Sequence, residues 1–314
     1  MKHSKKLSHS LLLILTALIW GFAFAAQSAG GDAAGPYAFN CMRSLIGGLT
    51  LLPVIALLDR IAPSEKKPRT RQQKRVLFTG GICCGIVLFL GTTFQQVGLY
   101  LGSSAGKAGF LTACYIVLVP IFGLFLKKKC GWNVWIGVIL AVAGLYLLCI
   151  KSGFSLQTSD FLLLICSVCF ALHILVIDHF SPLADGVRMS CIQFFVCGIL
   201  SLFPAFFLDM HHSASGIAAW LPVLTSPDAW VSILYAGILS SGVGYTLQIV
   251  GQDGLNPTVA SLLMSLESVF SVLAGWSILH QTLTPRELIG CSLLFLAILL
   301  AQIHFENKKS CRKK

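Results

Sequence analysis

Ten apolar segments separated by short polar stretches make up most of the 314 residues of this chain. Each is close to the ~20 residues that a helix needs to cross the hydrocarbon core of a bilayer. Charged residues are 11% of the chain, less than half of the usual supply in soluble domains. The pattern predicts an all-α polytopic membrane protein with ten transmembrane helices. The segments lie at residues 10–28, 37–58, 76–100, 105–126, 132–150, 160–178, 188–208, 229–250, 257–279 and 285–303.

The loop charges predict the orientation of these helices. With the N-terminus in the cytoplasm, the cytoplasmic segments hold 19 of the 23 Lys and Arg residues, and the opposite loops hold three. An excess of basic residues marks the cytoplasmic loops of membrane proteins. We therefore expect a plasma (inner) membrane protein with both termini cytoplasmic. These basic clusters beside the lipid bilayer account for the net charge of +11. We therefore expect no nucleic-acid partner.

The chain repeats itself at an offset of 153 residues. That offset aligns a polar and glycine pattern of the third segment with the eighth, and residues 136–137 with residues 289–290. Five helices per copy is an odd number, so the second copy must enter the membrane from the opposite side. We expect two inverted five-helix repeats, residues 1–151 and 152–314. Inverted repeats are typical of alternating-access transporters, whose small-molecule substrate binds near the midplane between the halves.

Several motifs resemble the EamA family of the drug/metabolite transporter superfamily. They are residues 18–24 around Trp20, Arg43 in the second segment, residues 265–270, and residues 283–290 before the last segment. The resemblance covers nearly the whole chain and implies a secondary transporter rather than an enzyme. It implies export of a small metabolite, amino acid or amphipathic compound, with proton coupling left open. Gln281 and Ser268 depart from the family pattern, which usually has glutamate and proline there.

Glu267 is the most unusual residue in an apolar segment. A carboxylate inside a bilayer is costly unless it is protonated, paired or hydrated. It is a candidate for proton coupling or for binding a substrate amine. The alternative is a protonated side chain that hydrogen-bonds a neighbouring helix.

Other polar residues within the segments are candidates for lining a substrate cavity. The Arg43 guanidinium could bind a substrate carboxylate, or it could serve structure by extending towards the membrane surface or by binding a neighbouring helix. Gln95 and Gln248 occupy equivalent repeat positions and suit either a cavity or contacts between helices. The aromatic candidates are Trp20, Tyr115 and Tyr245, each with ordinary packing as the alternative. His173 could carry protons or fill a packed, hydrogen-bonded position.

Two other function classes stay open at this level. Residues 102–106 match the G-x-S-x-G pattern, so an intramembrane enzyme would use Ser104 as nucleophile and His173 as base. That motif needs a strand–turn–helix context, whereas here it joins two membrane helices. A non-transporting membrane scaffold is the third reading. The sequence predicts no cofactor and no metal site, and small-residue pairs such as Gly81 and Gly85 suit packing within one chain or in a homodimer.

Overall fold

The computed structural model describes residues 2–61, 64–103, 105–128, 131–150, 157–270, 273 and 284–302. Within these ranges the chain is all-helical and forms no strand. Among the described residues, seven helical stretches are long and apolar enough to cross a membrane: Lys6–Phe24, Pro36–Ile61, Arg71–Tyr100, Lys107–Phe125, Thr158–Phe180, Gly186–Asp209 and Ala229–Gln252. Shorter apolar stretches are Trp132–Leu148, Ala214–Val223 and Pro257–Phe270.

The helices follow the predicted segments in order. In the first half they are α1 (Lys2–Ala34), α2 (Pro36–Ile61), α3 (Arg71–Tyr100), α4 (Ala105–Ala113), α5 (Tyr115–Phe125) and α6 (Trp132–Cys149). In the second half they are α7 (Thr158–Phe180), α8 (Gly186–Pro204), α9 (Ala214–Trp220), α10 (Pro227–Leu234), α11 (Thr246–Gln252), α12 (Pro257–Met264) and α13 (Pro285–Gln302). A π-helical turn, Ala205–Asp209, extends α8, and a second π-helical stretch, Tyr235–Tyr245, joins α10 to α11.

Polar side chains define where the long helices begin. Thr70 accepts a hydrogen bond from the Gln73 amide, and Gln73 accepts one from the Thr70 amide, which is a capping box at the start of α3. Asp185 caps α8 by accepting from the Arg188 amide at 2.9 Å. The cap of α2 is supplied from the second half, since the Asp209 carboxylate accepts from the amides of residues 37 and 38.

Two predicted segments are not single helices. Segment 105–126 divides at Cys114, whose amide bonds the Leu111 carbonyl three residues back. Segment 257–279 divides after Met264, where the Leu266 amide bonds the Leu263 carbonyl in the same way. These bonds are of the 3₁₀ type, which tightens the chain and interrupts an α-helix. The expectation of continuous helices was wrong at both places, although beyond Phe270 only residue 273 of the ninth segment is described.

A third difference lies between the seventh and eighth segments. The sequence predicts a loop there, and the structure forms α9 followed by a 3₁₀ turn, Leu221–Thr225. The Trp220 indole at the end of α9 donates to the Ala34 carbonyl over 2.7 Å. This hydrogen bond fixes α9 against the end of α1.

Glycine allows α6 and α13 to pack with their backbones in contact. A Cβ at Gly144 would lie 2.8 Å from the Gly290 carbonyl oxygen, and one at Gly137 would lie 2.9 Å from the Ala297 carbonyl oxygen. In these contacts the residue numbers increase along α6 as they decrease along α13, so the two helices run antiparallel. Small residues bring membrane helices this close and increase their van der Waals contact.

Candidate functional site

A cavity of about 480 Å³ lies in the interior between helices of both halves. The first half contributes residues from α1, α2, α3, α4 and α5. The second half contributes residues from α7, the π-helical stretch before α11, α11, α12 and the turn that follows α12. The lining residues are Trp20, Phe24, Gln27, Arg43, Gln95, Thr112, Tyr115, Phe170, Ile174, Ser240, Tyr245, Gln248, Met264 and Glu267.

The structure brings seven of the eight sequence-selected residues together around this cavity. They come from six different regions of the chain and are Trp20, Arg43, Gln95, Tyr115, Tyr245, Gln248 and Glu267. The eighth, His173, is not among the lining residues. Phe170 and Ile174 of α7 reach the cavity, whereas the His173 imidazole contacts Gln193 of α8.

Trp20 and Tyr245 form one aromatic wall. Their ring centroids are 4.6 Å apart, and the Trp20 indole donates to the Ser240 carbonyl over 3.2 Å. Gly244 makes room for the indole, because a Cβ there would lie 2.7 Å from the Trp20 Nε1 atom. Gly244 thus allows the Trp20 indole to pack closely against the segment that carries Tyr245.

Arg43 places a buried positive charge at the cavity. Its side chain is 3% exposed, and its guanidinium carbon lies 5.7 Å from the centre of the Phe39 ring, one turn earlier on α2. Among the described residues, no carboxylate forms an ion pair with it. An unpaired guanidinium in a membrane interior is costly, which marks the position as a candidate for binding an anionic group.

Glu267 places a carboxylate on the same cavity, three residues after Met264 ends α12. It is 4% exposed and forms no ion pair with any described residue, Arg43 included. The neighbouring serines do not bind it. The Ser261 and Ser265 hydroxyls donate to the carbonyls of their own helix at 2.8 and 2.7 Å.

Uncharged polar groups complete the lining. The Gln95 amide donates to the Thr112 hydroxyl at 3.3 Å. In the described part of the chain, the Tyr115 hydroxyl and the side-chain carbonyls of Gln27 and Gln248 are buried without a hydrogen-bond partner. Since nearly all buried polar groups are normally satisfied, these three atoms are available to a polar solute.

His173 lies behind the aromatic wall. Its Nε2 atom and the Gln193 Oε1 atom are 3.0 Å apart, and its ring centre is 5.9 Å from that of Tyr245. It is fully buried. Its predicted nucleophile partner, Ser104, lies outside the described residues.

Sequence reasoning missed half of the lining. Phe24 and Gln27 could have been found from helical spacing, because they follow Trp20 by one and two turns on the same face of α1. The signal for the remaining residues is weak because they are apolar, or small and polar, within apolar helices. These are Thr112, Phe170, Ile174, Ser240 and Met264.

The cavity therefore combines a guanidinium, a carboxyl group, amide and hydroxyl groups, and aromatic and apolar walls. Such a lining complements a small solute that has both polar and apolar parts. Within the described ranges, no three His, Cys, Asp or Glu side chains group as metal ligands.

Comparisons with known proteins agree on one family. The model of the EamA-like transporter family matches twice, at residues 7–150 and 157–302. An "Uncharacterized transporter" of Archaeoglobus fulgidus is 31% identical, with 95% of this chain and 87% of the relative aligned. A "Probable terminal-alkyne amino-acid exporter" of Streptantibioticus cattleyicolor is 22% identical, covering 92% of this chain and 91% of the relative.

One solved crystal structure has the same fold. It superposes with a TM-score of 0.74 at 18% sequence identity, covering 94% of this chain and 96% of that chain. The family match and the apolar helices together identify a multi-pass membrane protein. The chain belongs to the EamA-like transporter family.

Proposed function

We propose that this protein is a secondary transporter that moves a small zwitterionic or amphipathic metabolite, amino acids being the leading class, by alternating access. The observation that carries the proposal is the central cavity. It places the Arg43 guanidinium and the Glu267 carboxyl group, neither of which forms an ion pair with a described residue, beside the aromatic pair Trp20 and Tyr245. The substrate carboxylate would bind Arg43, its ammonium group would bind Glu267, and its apolar part would contact the aromatic wall.

The proposal includes ten membrane-crossing helices in two inverted five-helix repeats. The α6–α13 contacts support it, because Gly137 and Gly290 are equivalent at the offset of 153, as are Gly144 and Ala297. One contact is therefore the image of the other, and the helices run antiparallel. A twofold axis in the membrane plane produces this relationship.

The interruptions of two helices support a substrate-binding site at the central cavity. The break at Cys114 and the break before Glu267 are equivalent, since the offset of 153 carries Cys114 onto Glu267. Interrupted helices at corresponding positions of two repeats are typical of transporter substrate sites. Both breaks adjoin the cavity, through Tyr115 on one side and Glu267 on the other.

We propose export across the plasma (inner) membrane, with both termini cytoplasmic. The distribution of basic residues supports the orientation. The exporter among the relatives supports the direction and the substrate class, at 22% identity. Glu267 is the candidate for proton coupling, and facilitated diffusion through the same cavity needs no titratable group.

Counterflow in proteoliposomes tests the proposal without assuming a driving ion. Vesicles are loaded with one unlabelled compound at a time from a panel of amino acids and small metabolites, and uptake of the labelled compound is followed. We expect saturable exchange for at least one zwitterion. Absence of exchange across the panel, with protein that is folded by circular dichroism, would contradict the proposal and favour the scaffold reading.

A further inference from the structure

A second cavity, of about 900 Å³, lies where α2 ends and α8 begins. We call it the vestibule. Its walls come from both halves, with Ile55 and Leu58 on one side and Val187 and Ile249 on the other. Ile249 directly follows Gln248, which lines the central cavity. The two cavities are therefore neighbours along α11.

An ion pair crosses the vestibule between the halves of the chain. The Lys66 ammonium, in the loop between α2 and α3, pairs with the Asp253 carboxylate after α11. The same ammonium donates to the Ser181 carbonyl at the end of α7 over 2.8 Å. The Lys66 side chain of the first half thus contacts the chain at the ends of both α7 and α11 in the second half.

A second ion pair joins the halves on the same cavity. The Arg188 guanidinium, in the first turn of α8, pairs with Asp59 at the end of α2 and with Asp185 of its own half, the latter at 2.9 Å. Asp59 also accepts from Lys67 at 2.8 Å, a pair that stays within the first half. The pairs Lys66–Asp253 and Asp59–Arg188 together are called the clamp below.

At the opposite end of the described chain another ion pair joins the halves, between Lys107 at the start of α4 and Asp160 at the start of α7, over 2.6 Å. It is not the repeat equivalent of the clamp. The offset of 153 carries Asp59 and Lys66 to His212 and Ala219, and it relates Asp253 and Arg188 to Tyr100 and Gly35. None of these four equivalent residues carries a carboxylate. The two ends therefore differ in what holds the halves together, although the helices around them correspond.

The clamp stands next to the point where the halves meet. Cys191, one turn beyond Arg188 on α8, donates from its thiol to the Gly48 carbonyl of α2 over 3.6 Å. Its side chain is 6% exposed, so the α2–α8 contact is closed in this state. Separation of the halves at this end would expose that thiol to the vestibule.

We propose that the clamp holds this end of the protein closed and that its release connects the vestibule to the central cavity. The proposal rests on the proposed function, because it assigns the clamp to one of two alternating states. Partial exposure suits a reversible contact. The Lys66 and Asp253 side chains are 35% and 30% exposed, and ion pairs so open to solvent are individually weak.

Alkylation of the native Cys191 tests the clamp directly. Detergent-solubilised protein is treated with N-ethylmaleimide, and modification of each cysteine-containing peptide is measured by mass spectrometry. We expect the double variant Asp59→Asn, Asp253→Asn to raise the modification rate of Cys191 several-fold. Cys166, fully buried in α7 away from the clamp, reports general loosening and is expected to stay unmodified.

Two further variants make the test specific. Lys67→Met removes a lysine–aspartate pair at the same end but leaves both pairs of the clamp, so Cys191 should stay protected. The exchange Lys66→Asp with Asp253→Lys keeps an ion pair and should protect Cys191 as well. An unchanged Cys191 rate in the double asparagine variant, or equal rates in all three variants, would overturn the clamp.

The readout separates this inference from the transport proposal. Labelling of Cys191 needs no substrate, so a clear response without counterflow of any solute would contradict the proposed function alone. Saturable counterflow without any labelling response would contradict the clamp alone.

Discussion

The Ser44 hydroxyl donates a hydrogen bond to the Cys197 sulfur over 3.3 Å, and the two positions are separated by the 153 residues that align the halves of the chain. Leu45 and Gly198 have the same separation, and they also touch, since a Cβ at Gly198 would lie 2.6 Å from a Leu45 methyl carbon. A residue contacts its own repeat equivalent only near the axis that relates the two copies. These contacts support an axis between α2 and α8, close to Arg43.

We predict that Gly144→Ala destabilises the protein. The added Cβ would lie 2.8 Å from the Gly290 carbonyl oxygen, so α6 and α13 would have to separate. Overpacking of this kind costs about 1–3 kcal/mol, which should lower the thermal midpoint in detergent, followed by circular dichroism. Gly109→Ala is the matched control, because its nearest neighbour is a Phe24 ring carbon at 3.9 Å. Equal midpoints for the two variants would contradict this account of the interface.

Much of the fold could be predicted because apolar length and loop charge report directly on membrane crossings. The interruptions at Cys114 and before Glu267 could not, because nothing in the local composition disfavours a continuous helix there. The π-helical stretch before α11 did carry a signal, since it contains three glycines and two serines, residues that disfavour a regular α-helix.

The candidate site was predictable where polarity contrasts with an apolar helix. Arg43, Gln95 and Glu267 stand out in this way, and all three reach one cavity. Phe170 and Met264 could not be recognised, because helices that are apolar on every side give no periodicity that distinguishes cavity from lipid. His173 contrasts with its apolar helix as Arg43 does, but its imidazole contacts Gln193 and does not line the cavity.

Tyr115→Phe should separate substrate binding from stability. The Tyr115 hydroxyl is buried without a partner among the described residues, so its removal should leave the thermal midpoint unchanged or raise it. If the hydroxyl binds a polar solute, the same variant should raise the KM of counterflow several-fold. A lower midpoint with an unchanged KM would show that the hydroxyl serves the fold.

Arg43→Met should weaken the binding of substrates that carry a carboxylate. A hydrogen bond to a charged group contributes about 1.5–3 kcal/mol, which corresponds to a rise in KM of roughly 10- to 100-fold. Counterflow of an amino acid should be compared with that of the matching amine, which lacks the carboxylate. The loss should be confined to the amino acid. Equal losses for both compounds would assign Arg43 to structure.

Glu267→Gln should separate exchange from proton coupling. The amide keeps the size of the side chain but cannot release a proton, so exchange at saturating substrate should continue while uptake driven by a pH gradient is lost. Both are measured in the same proteoliposomes, with and without an imposed gradient. Ser265→Ala is the matched control, because the Ser265 hydroxyl donates to the Leu262 carbonyl and does not line the cavity. If Glu267→Gln still responds to the pH gradient, another group carries the coupling proton and the assignment to Glu267 is wrong.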